Sequence, residues 1–128
     1  MAEADPVVLI REGDRRPGAP TMGMHRQEAV ATETTWAGTA RTEARMHSGW
    51  HHHAAYESVI YVLAGTLRME SGPGGRYVVE AGPGDFLFVP KGAIHREENP
   101  NTDEGLLVVF RSGRGEQVVN VDGPAPAP

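Results

Sequence analysis

Short apolar runs separated by clusters of turn residues are the dominant pattern along this chain. Leu67 and Met69 alternate with polar neighbours, which is the period of a strand buried on one face only. The runs 58–63 and 86–89 are apolar almost throughout and predict strands that see little water. Many short strands with frequent turns predict an all-β sandwich or barrel.

Weaker signals predict further strands. Threonine-rich sequence favours strands over 29–36 and 39–46, with Ala37 and Gly38 forming the turn between them. The segment 22–25 is ambiguous between an edge strand and a loop. The remaining predicted strands are 7–10, 76–80, 93–97, 106–110 and 118–121. Glycine, proline and asparagine predict turns at 71–75, 82–85 and 99–103.

The length of 128 residues suits one domain with one core. Residues 1–5 and 123–128 are expected to be loose tails, the second because its alternating prolines cannot pair in a sheet. The aromatic side chains expected in the core are Tyr56, Phe86, Phe88 and Phe110.

Charge and composition exclude several classes of protein. The net charge is −5 and no basic cluster stands out, which argues against nucleic acid as the main partner. No apolar run is long enough to span a membrane, and the acidic N-terminus does not resemble a signal peptide. The absence of cysteine excludes disulfides and thiolate chemistry, so a cytoplasmic location is expected.

Three of the six histidines are adjacent in the chain, which indicates a metal site. In a strand, His51 and His53 would point to one face and His52 to the other. Two imidazoles on one face make half of a site for a divalent metal, and His95 is the candidate for a third. An affinity tag would stand at a terminus, whereas this run is internal.

The sequence around His95 resembles a known family. Gly84, Pro90, Gly92, His95 and Asn99 stand at the spacing G-x5-P-x-G-x2-H-x3-N, which is the second conserved motif of the cupins. The match in register makes a metal ligand a better interpretation of His95 than a satisfied core histidine.

The first cupin motif, G-x5-H-x-H-x3,4-E-x6-G, is matched only in part. His51, His53 and Gly65 fit, but Arg45 stands where the motif begins with glycine. The acid also departs from the pattern. Glu57 follows His53 by the shorter spacing, but seven residues separate it from Gly65 where the motif has six. The longer spacing places the acid where this chain has Ser58.

The resemblance implies a cupin jelly roll, a small antiparallel β-barrel or double-stranded β-helix whose mouth is a natural ligand pocket. It implies one divalent metal held by His51, His53 and His95 with the acid Glu57. The usual register turns Ser58 inward and Glu57 outward, unless a bulge near residue 55 or 56 reverses this. The alternatives for the fourth ligand are therefore water and the remaining candidates His25 and His47.

Glu97 is a candidate acid–base group because it lies two residues after His95 and would share its face in a regular strand. The alternative is an exposed charge. Ligand type leaves zinc, iron, manganese, nickel and copper all open as the metal.

The expected interior is largely hydrophobic, lined by Ile60, Val62, Leu67 and Met69 with Phe86 or Phe88. Arg96 should point away from it, so no inward basic residue is expected near the site motifs. This favours a mostly apolar small molecule over a sugar phosphate as the substrate.

Three functions fit these expectations. The leading hypothesis is a metal-dependent enzyme acting on a small carbonyl or enol compound, similar to the small cupin polyketide cyclases. The alternatives are a dioxygenase of the quercetinase kind and a non-enzymatic module that binds a metal or a small ligand. Cupins commonly dimerise by packing sheets, so a homodimer with a contribution from 7–10 also remains open.

Overall fold

The computed structural model describes residues 5–127, and this part of the chain is built from short strands with one 3-10 turn at Glu12–Asp14. The strands are β1 (Arg16–Pro17), β2 (Met24–Ala31), β3 (Thr35–Thr42), β4 (His51–His52), β5 (Glu57–Ala64), β6 (Leu67–Ser71), β7 (Tyr77–Ala81), β8 (Phe86–Val89), β9 (His95–Glu98), β10 (Gly105–Ser112) and β11 (Val119–Asn120).

Two antiparallel sheets enclose the core. The larger sheet has the strand order β1-β2-β3-β10-β5-β8, and the smaller has the order β11-β4-β9-β6-β7. Several neighbours in the sheets are distant in the chain, as where β10 pairs with both β3 and β5. The predicted all-β fold is confirmed. Within residues 5–127 no helix is long and apolar enough to cross a bilayer.

The inner faces of the two sheets supply a continuous hydrophobic core because side chains alternate along each strand. Val62, Leu67 and Leu107 are almost completely buried and lie on three different strands. Ile60 and Met69 are also buried, as expected for side chains assigned to the interior. Truncating a side chain of this kind to alanine typically costs about 2–5 kcal/mol, so this cluster is a main source of stability.

The turn of the first long hairpin is not where the sequence predicted it. Ala37 and Gly38 lie inside β3, and the chain reverses at 32–34 instead. The hydroxyl of Thr32 accepts hydrogen bonds from the backbone N–H groups of Thr34 and Thr35, which stabilises this turn. Gly38 serves packing, because a Cβ there would collide with the carbonyl oxygen of Gln27 on β2.

The outer face of the larger sheet is more apolar than expected. Phe86, Phe88 and Phe110 were predicted in the core, but they are 69, 61 and 51% exposed. The prediction for 58–63 is wrong in the same way, since Val59 and Leu63 on that strand face outward. A continuous apolar run does not reveal that a strand has one outward face. Tyr56 is buried as predicted.

The terminal segments also differ from expectation. Residues 7–10 form no strand, and Val7, Val8 and Leu9 are exposed. The predicted loose tail at 1–5 lies, apart from Asp5, outside the described residues. At the other end the tail is not free of the sheet: the carbonyl of Ala125 accepts a hydrogen bond from the N–H of Gly74 in the β6–β7 turn. Residue 128 is outside the described residues.

Candidate metal centre

The smaller sheet brings three histidines together inside the barrel. His51 on β4 lies directly opposite His95 on β9, and His53 follows β4 by one residue. His51 and His95 are completely buried and His53 is 5% exposed. One ring nitrogen from each histidine lies within 4.8 Å of the others. We call these three residues the histidine triad.

Backbone carbonyls fix the orientation of all three rings. Nδ1 of His51 lies 2.9 Å from the carbonyl oxygen of Gly49. Nδ1 of His53 lies 2.7 Å from that of Gln117, and Nδ1 of His95 lies 2.8 Å from that of Ala93. A carbonyl can only accept, so each Nδ1 must carry the proton and donate it. In neutral rings, Nε2 then bears the lone pair that a metal requires, and this arrangement is typical of metal-ligating histidines.

The electrostatic environment differs between members of the triad. Burial, together with the nearby charges of Arg111 and His95, lowers the pKa of His53 to about 2, so His53 is neutral. For His95 burial also acts to lower the pKa, but the adjacent carboxylate of Glu97 outweighs it and the pKa is raised. Without a metal, a proton on Nε2 of His95 is therefore favoured by that carboxylate.

Glu97 lies against the triad. It is 1% exposed, and its carboxylate oxygens lie 3.2 Å from Nε2 of His51 and 3.3 Å from Nε2 of His95. Burial acts to raise the pKa of Glu97, but the charges of His51 and His95 hold it well below its usual value. Among the buried residues described, Glu97 is the one carboxylate, and it is ionised.

Ser48 holds Glu97 in this position. Its Oγ accepts a hydrogen bond from the backbone N–H of Glu97 at 2.8 Å and lies 3.2 Å from Oε2 of the same residue. The backbone N–H of Ser48 also donates to the Glu97 carbonyl. Two independent backbone contacts and one side-chain contact therefore position this carboxylate.

The other candidate ligands lie elsewhere. Glu57 is half-buried and alternates with Ser58, which faces inward, so the structure does not bring the motif acid to the triad. His25 is exposed and pairs with Glu43 at 2.7 Å. His47 is exposed and lies 3.9 Å from Glu98. His52, as predicted, points away from His51 and His53, and its Nδ1 accepts a hydrogen bond from the N–H of Ala54.

Two buried arginines were missed by the sequence analysis. Arg26 is 6% exposed and Arg111 is 2% exposed. Burial lowers the pKa of both guanidinium groups, while the charge of Glu97 acts to raise it. The prediction of no inward basic residue is therefore wrong, and the interior near the triad is polar. The sequence did contain a signal that Arg111 faces inward. In a strand with period-two alternation, Arg111 shares a face with Leu107 and Val109.

Gln117 links Arg111 to the triad. Its backbone carbonyl accepts from His53, while its side-chain oxygen accepts from Arg111 at 3.1 Å. Its side-chain nitrogen donates to the Tyr56 hydroxyl at 3.0 Å. The guanidinium of Arg111 also stacks 4.4 Å from the ring of Trp36. These contacts hold Arg111 on the inner face, although no carboxylate of the described residues pairs with it.

The cupin-motif positions outside the triad have structural roles. Asn99 is fully buried, and its amide donates to the carbonyls of Glu43 and Asp103, which ties two loops together. Arg45, at the position of the motif glycine, has a φ of +52°, so the left-handed backbone persists without glycine. Such a conformation costs a non-glycine residue about 1 kcal/mol.

A concavity of about 660 Å³ lies away from the triad. It is formed where the 12–20 segment meets β2 and β3, and its lining includes Arg15, Arg41 and Leu106. No triad histidine lines it. We therefore do not assign it to the metal centre.

Comparison with known proteins agrees with the motifs. A family model described as Cupin domain matches residues 39–111, which is more than half of the chain. The protein belongs to the cupin family. No curated protein matches it.

Solved structures show the same fold at low sequence identity. The polyketide cyclase RemF from Streptomyces resistomycificus superposes with a TM-score of 0.73 at 18% identity, covering 91% of this chain and 86% of that one. KdgF from Halomonas sp. superposes with a TM-score of 0.67 at 17% identity, covering 85% of this chain and 96% of that one. A Klebsiella pneumoniae protein with a double-stranded β-helix domain superposes with a TM-score of 0.68 at 16% identity, covering 81% of this chain and 90% of that one. At these identities the likeness shows the fold alone.

The triad fits the divalent metal that the fold family implies. Nε2 of His51 and of His95 is buried and makes no hydrogen bond of good geometry within residues 5–127, although the Glu97 carboxylate lies 3.2 and 3.3 Å away. A buried nitrogen left without a hydrogen bond is costly. Three imidazoles with an ionised carboxylate beside them form a donor set that suits zinc and the later first-row transition metals. The triad is thus compatible with metal binding.

Proposed function

We propose that this cupin is a metal-dependent enzyme that acts on a small carbonyl or enol compound inside the barrel. The single observation that carries the proposal is the convergence of three Nε2 atoms whose rings are each held by an Nδ1–H to carbonyl hydrogen bond. Such preorganisation is expected of a ligand set and has no evident use in a purely structural core.

His51, His53 and His95 would hold one divalent ion. When bound, this ion would act as a Lewis acid that polarises a carbonyl oxygen or lowers the pKa of water. Protein side chains would carry out the proton transfers. Glu97 would accept the proton that leaves a carbon next to the carbonyl and return it later, while Ser48 keeps its carboxylate in place.

The substrate class is inferred from the side chains that are buried on the inner faces of the two sheets. Ile60, Val62 and Leu107 supply apolar surface, and Arg111 with Tyr56 supplies a polar end. A planar, partly aromatic molecule with carbonyl groups matches both surfaces. Cyclisation of an aromatic polyketide is one reaction of this kind. RemF, which has a similar fold, is described as a polyketide cyclase.

The test is deuterium exchange next to a carbonyl. The zinc-loaded protein in D₂O is incubated with aryl methyl ketones, and loss of the methyl proton signal is followed by NMR. We expect exchange faster than with zinc ion and buffer alone, and slower exchange in Glu97→Gln. Glu98→Gln is the matched control, because Glu98 is the next residue on β9 and faces outward toward Arg68.

Other outcomes would revise the proposal. Oxygen uptake with enol substrates in the iron, manganese, nickel or copper form would assign a dioxygenase instead. Tight ligand binding without exchange or oxygen uptake in any metal form would contradict an enzyme and favour a binding module.

A further inference from the structure

The inner wall of the barrel carries positive charge that the protein does not neutralise. Arg26 and Arg111 are both buried, whereas Glu97 is the one buried carboxylate among the described residues. Neither guanidinium has a carboxylate oxygen within ion-pair distance in the described part of the chain. A divalent metal on the triad would increase this excess of positive charge. Buried charges are normally paired, so the interior favours an additional anion.

Arg111 is the better placed of the two cations. It lies on β10 directly opposite Ser58 on β5, so the two side chains are neighbours on the inner face. One guanidinium nitrogen donates to Gln117, but Nε is buried and has no hydrogen-bond partner within residues 5–127. The hydroxyl of Ser58 is likewise buried and has no partner in that part of the chain.

The two unsatisfied groups have matching chemistry. A guanidinium N–H can only donate, and a serine hydroxyl can donate as well. Two adjacent buried donors would together satisfy the lone pairs of one oxyanion. The burial of Arg111, and the charge of Arg26 beside it, lower the pKa of Arg111 to about 9, and an anion would relieve this cost.

Arg26 differs because none of its nitrogens is among the buried atoms that lack a hydrogen-bond partner within residues 5–127. It donates to the Ala19 carbonyl at 3.1 Å and to the Thr21 hydroxyl at 2.6 Å. Its contribution is therefore its charge, which strengthens the positive potential at Arg111 without a direct contact to the ligand.

We propose that Arg111 and Ser58 form an oxyanion subsite that binds a carboxylate or enolate oxygen of the substrate within the same barrel as the histidine triad. This inference rests on the proposed function for its ligand class, an organic small molecule. It changes the expected substrate from a mostly apolar compound to one with an anionic group at one end.

The experiment compares benzoate with benzamide, which has nearly the same shape without the charge. Binding is measured by calorimetry and by the shift of the arginine Nε–H signals in NMR, with metal-free and zinc-loaded protein. Metal content is determined on the same samples. We expect benzoate to bind at least about tenfold more tightly than benzamide, as a charged hydrogen bond would provide.

Two variants remove the subsite in different ways. Arg111→Met removes the charge and keeps an apolar side chain. Ser58→Glu places a carboxylate beside Arg111, which should compete with the ligand while keeping the arginine. Both should weaken benzoate binding by about tenfold or more. Arg41→Met is the control, because Arg41 lies on the outer face of β3 and pairs with Glu104 at 3.0 Å.

The outcomes separate the two proposals. Arginine-dependent benzoate binding to a protein that takes up no metal would support the subsite and contradict the proposed metal enzyme. Full metal content with equal affinity for benzoate and benzamide would overturn the subsite alone. If Arg111→Met does not fold, unchanged benzoate binding in folded Ser58→Glu would overturn it equally.

Discussion

The six histidines fall into two regions of the molecule that differ in every property relevant to metal binding. His51, His53 and His95 are buried in the barrel, and each donates Nδ1–H to a backbone carbonyl. The three others are outside the barrel interior, and two of them, His25 and His47, lie beside the surface carboxylates of Glu43 and Glu98.

This difference shows that residue type alone does not make a ligand. A surface histidine with a carboxylate partner keeps its rotational freedom and its water. A buried ring whose Nδ1 is fixed by a carbonyl has no freedom left, and its Nε2 needs a partner. Two adjacent histidines can therefore differ in environment: His51 is buried inside the barrel, whereas His52 lies outside its interior.

The largest expected effect comes from exchanging one histidine in each region. His95→Ala should reduce metal affinity by more than about 100-fold, because it removes a ligand and not merely its support. His47→Ala should keep full metal content, since His47 is exposed. Elemental analysis of both purified variants is the measurement. Equal metal content in the two would remove the distinction between the regions.

Glu97 is the next position at which the comparison can be sharpened. As an acid–base group, Glu97→Gln should retain the metal and lose about 10²–10⁴-fold in turnover. The readouts are metal content and the deuterium-exchange rate, with Glu98→Gln as the outward-facing control. Loss of metal together with activity would instead make Glu97 a fourth ligand.

A smaller effect is expected from Ser48→Ala. The variant loses the hydrogen bond from the Glu97 N–H and the contact with its carboxylate. We expect activity to fall by about tenfold, the lower end for a residue that acts through another. The free energy of unfolding should fall by about 1 kcal/mol. Measured on the zinc form, an unchanged KM with reduced kcat would separate positioning from general destabilisation. Ser112→Ala on the exposed face of β10 is the control.

The smallest effect is expected outside the barrel. His25→Gln removes the contact between the imidazole and the carboxylate of Glu43, in which both side chains are about half exposed. Pairs of this kind contribute little, so the free energy of unfolding should change by less than about 0.5 kcal/mol. Chemical denaturation checks this, and metal content should not change. A loss of several kcal/mol would show that the surface histidine is structurally important after all.

Sequence analysis succeeded where chemistry and spacing acted together. The motif around His95 indicated the family fold. The usual register of that family indicated the inner side of β5, and alternation indicated the inner side of β6. The same alternation placed Glu97 on the face of His95 as one of two options, and the structure brings its carboxylate to the triad. These inferences depend only on local register, which a sequence contains.

The failures involve information that is not local. Phe86 and Phe88 were expected inside because apolar residues usually are, but their side of β8 faces outward. Arg26 and Arg111 were overlooked because arginine is rarely buried without a carboxylate partner. Alternation with Leu107 and Val109 was a local signal that Arg111 faces inward, but the nearness of both arginines to the triad follows from how distant strands pair.

The measurement that tests the account most directly is the metal content of untagged protein purified without added metal or chelator. The account predicts about one divalent ion per chain, as a single three-histidine site would hold, and its loss in His95→Ala. A chain without metal that also takes up none of zinc, iron, manganese, nickel or copper on reconstitution would contradict the assignment of the histidine triad.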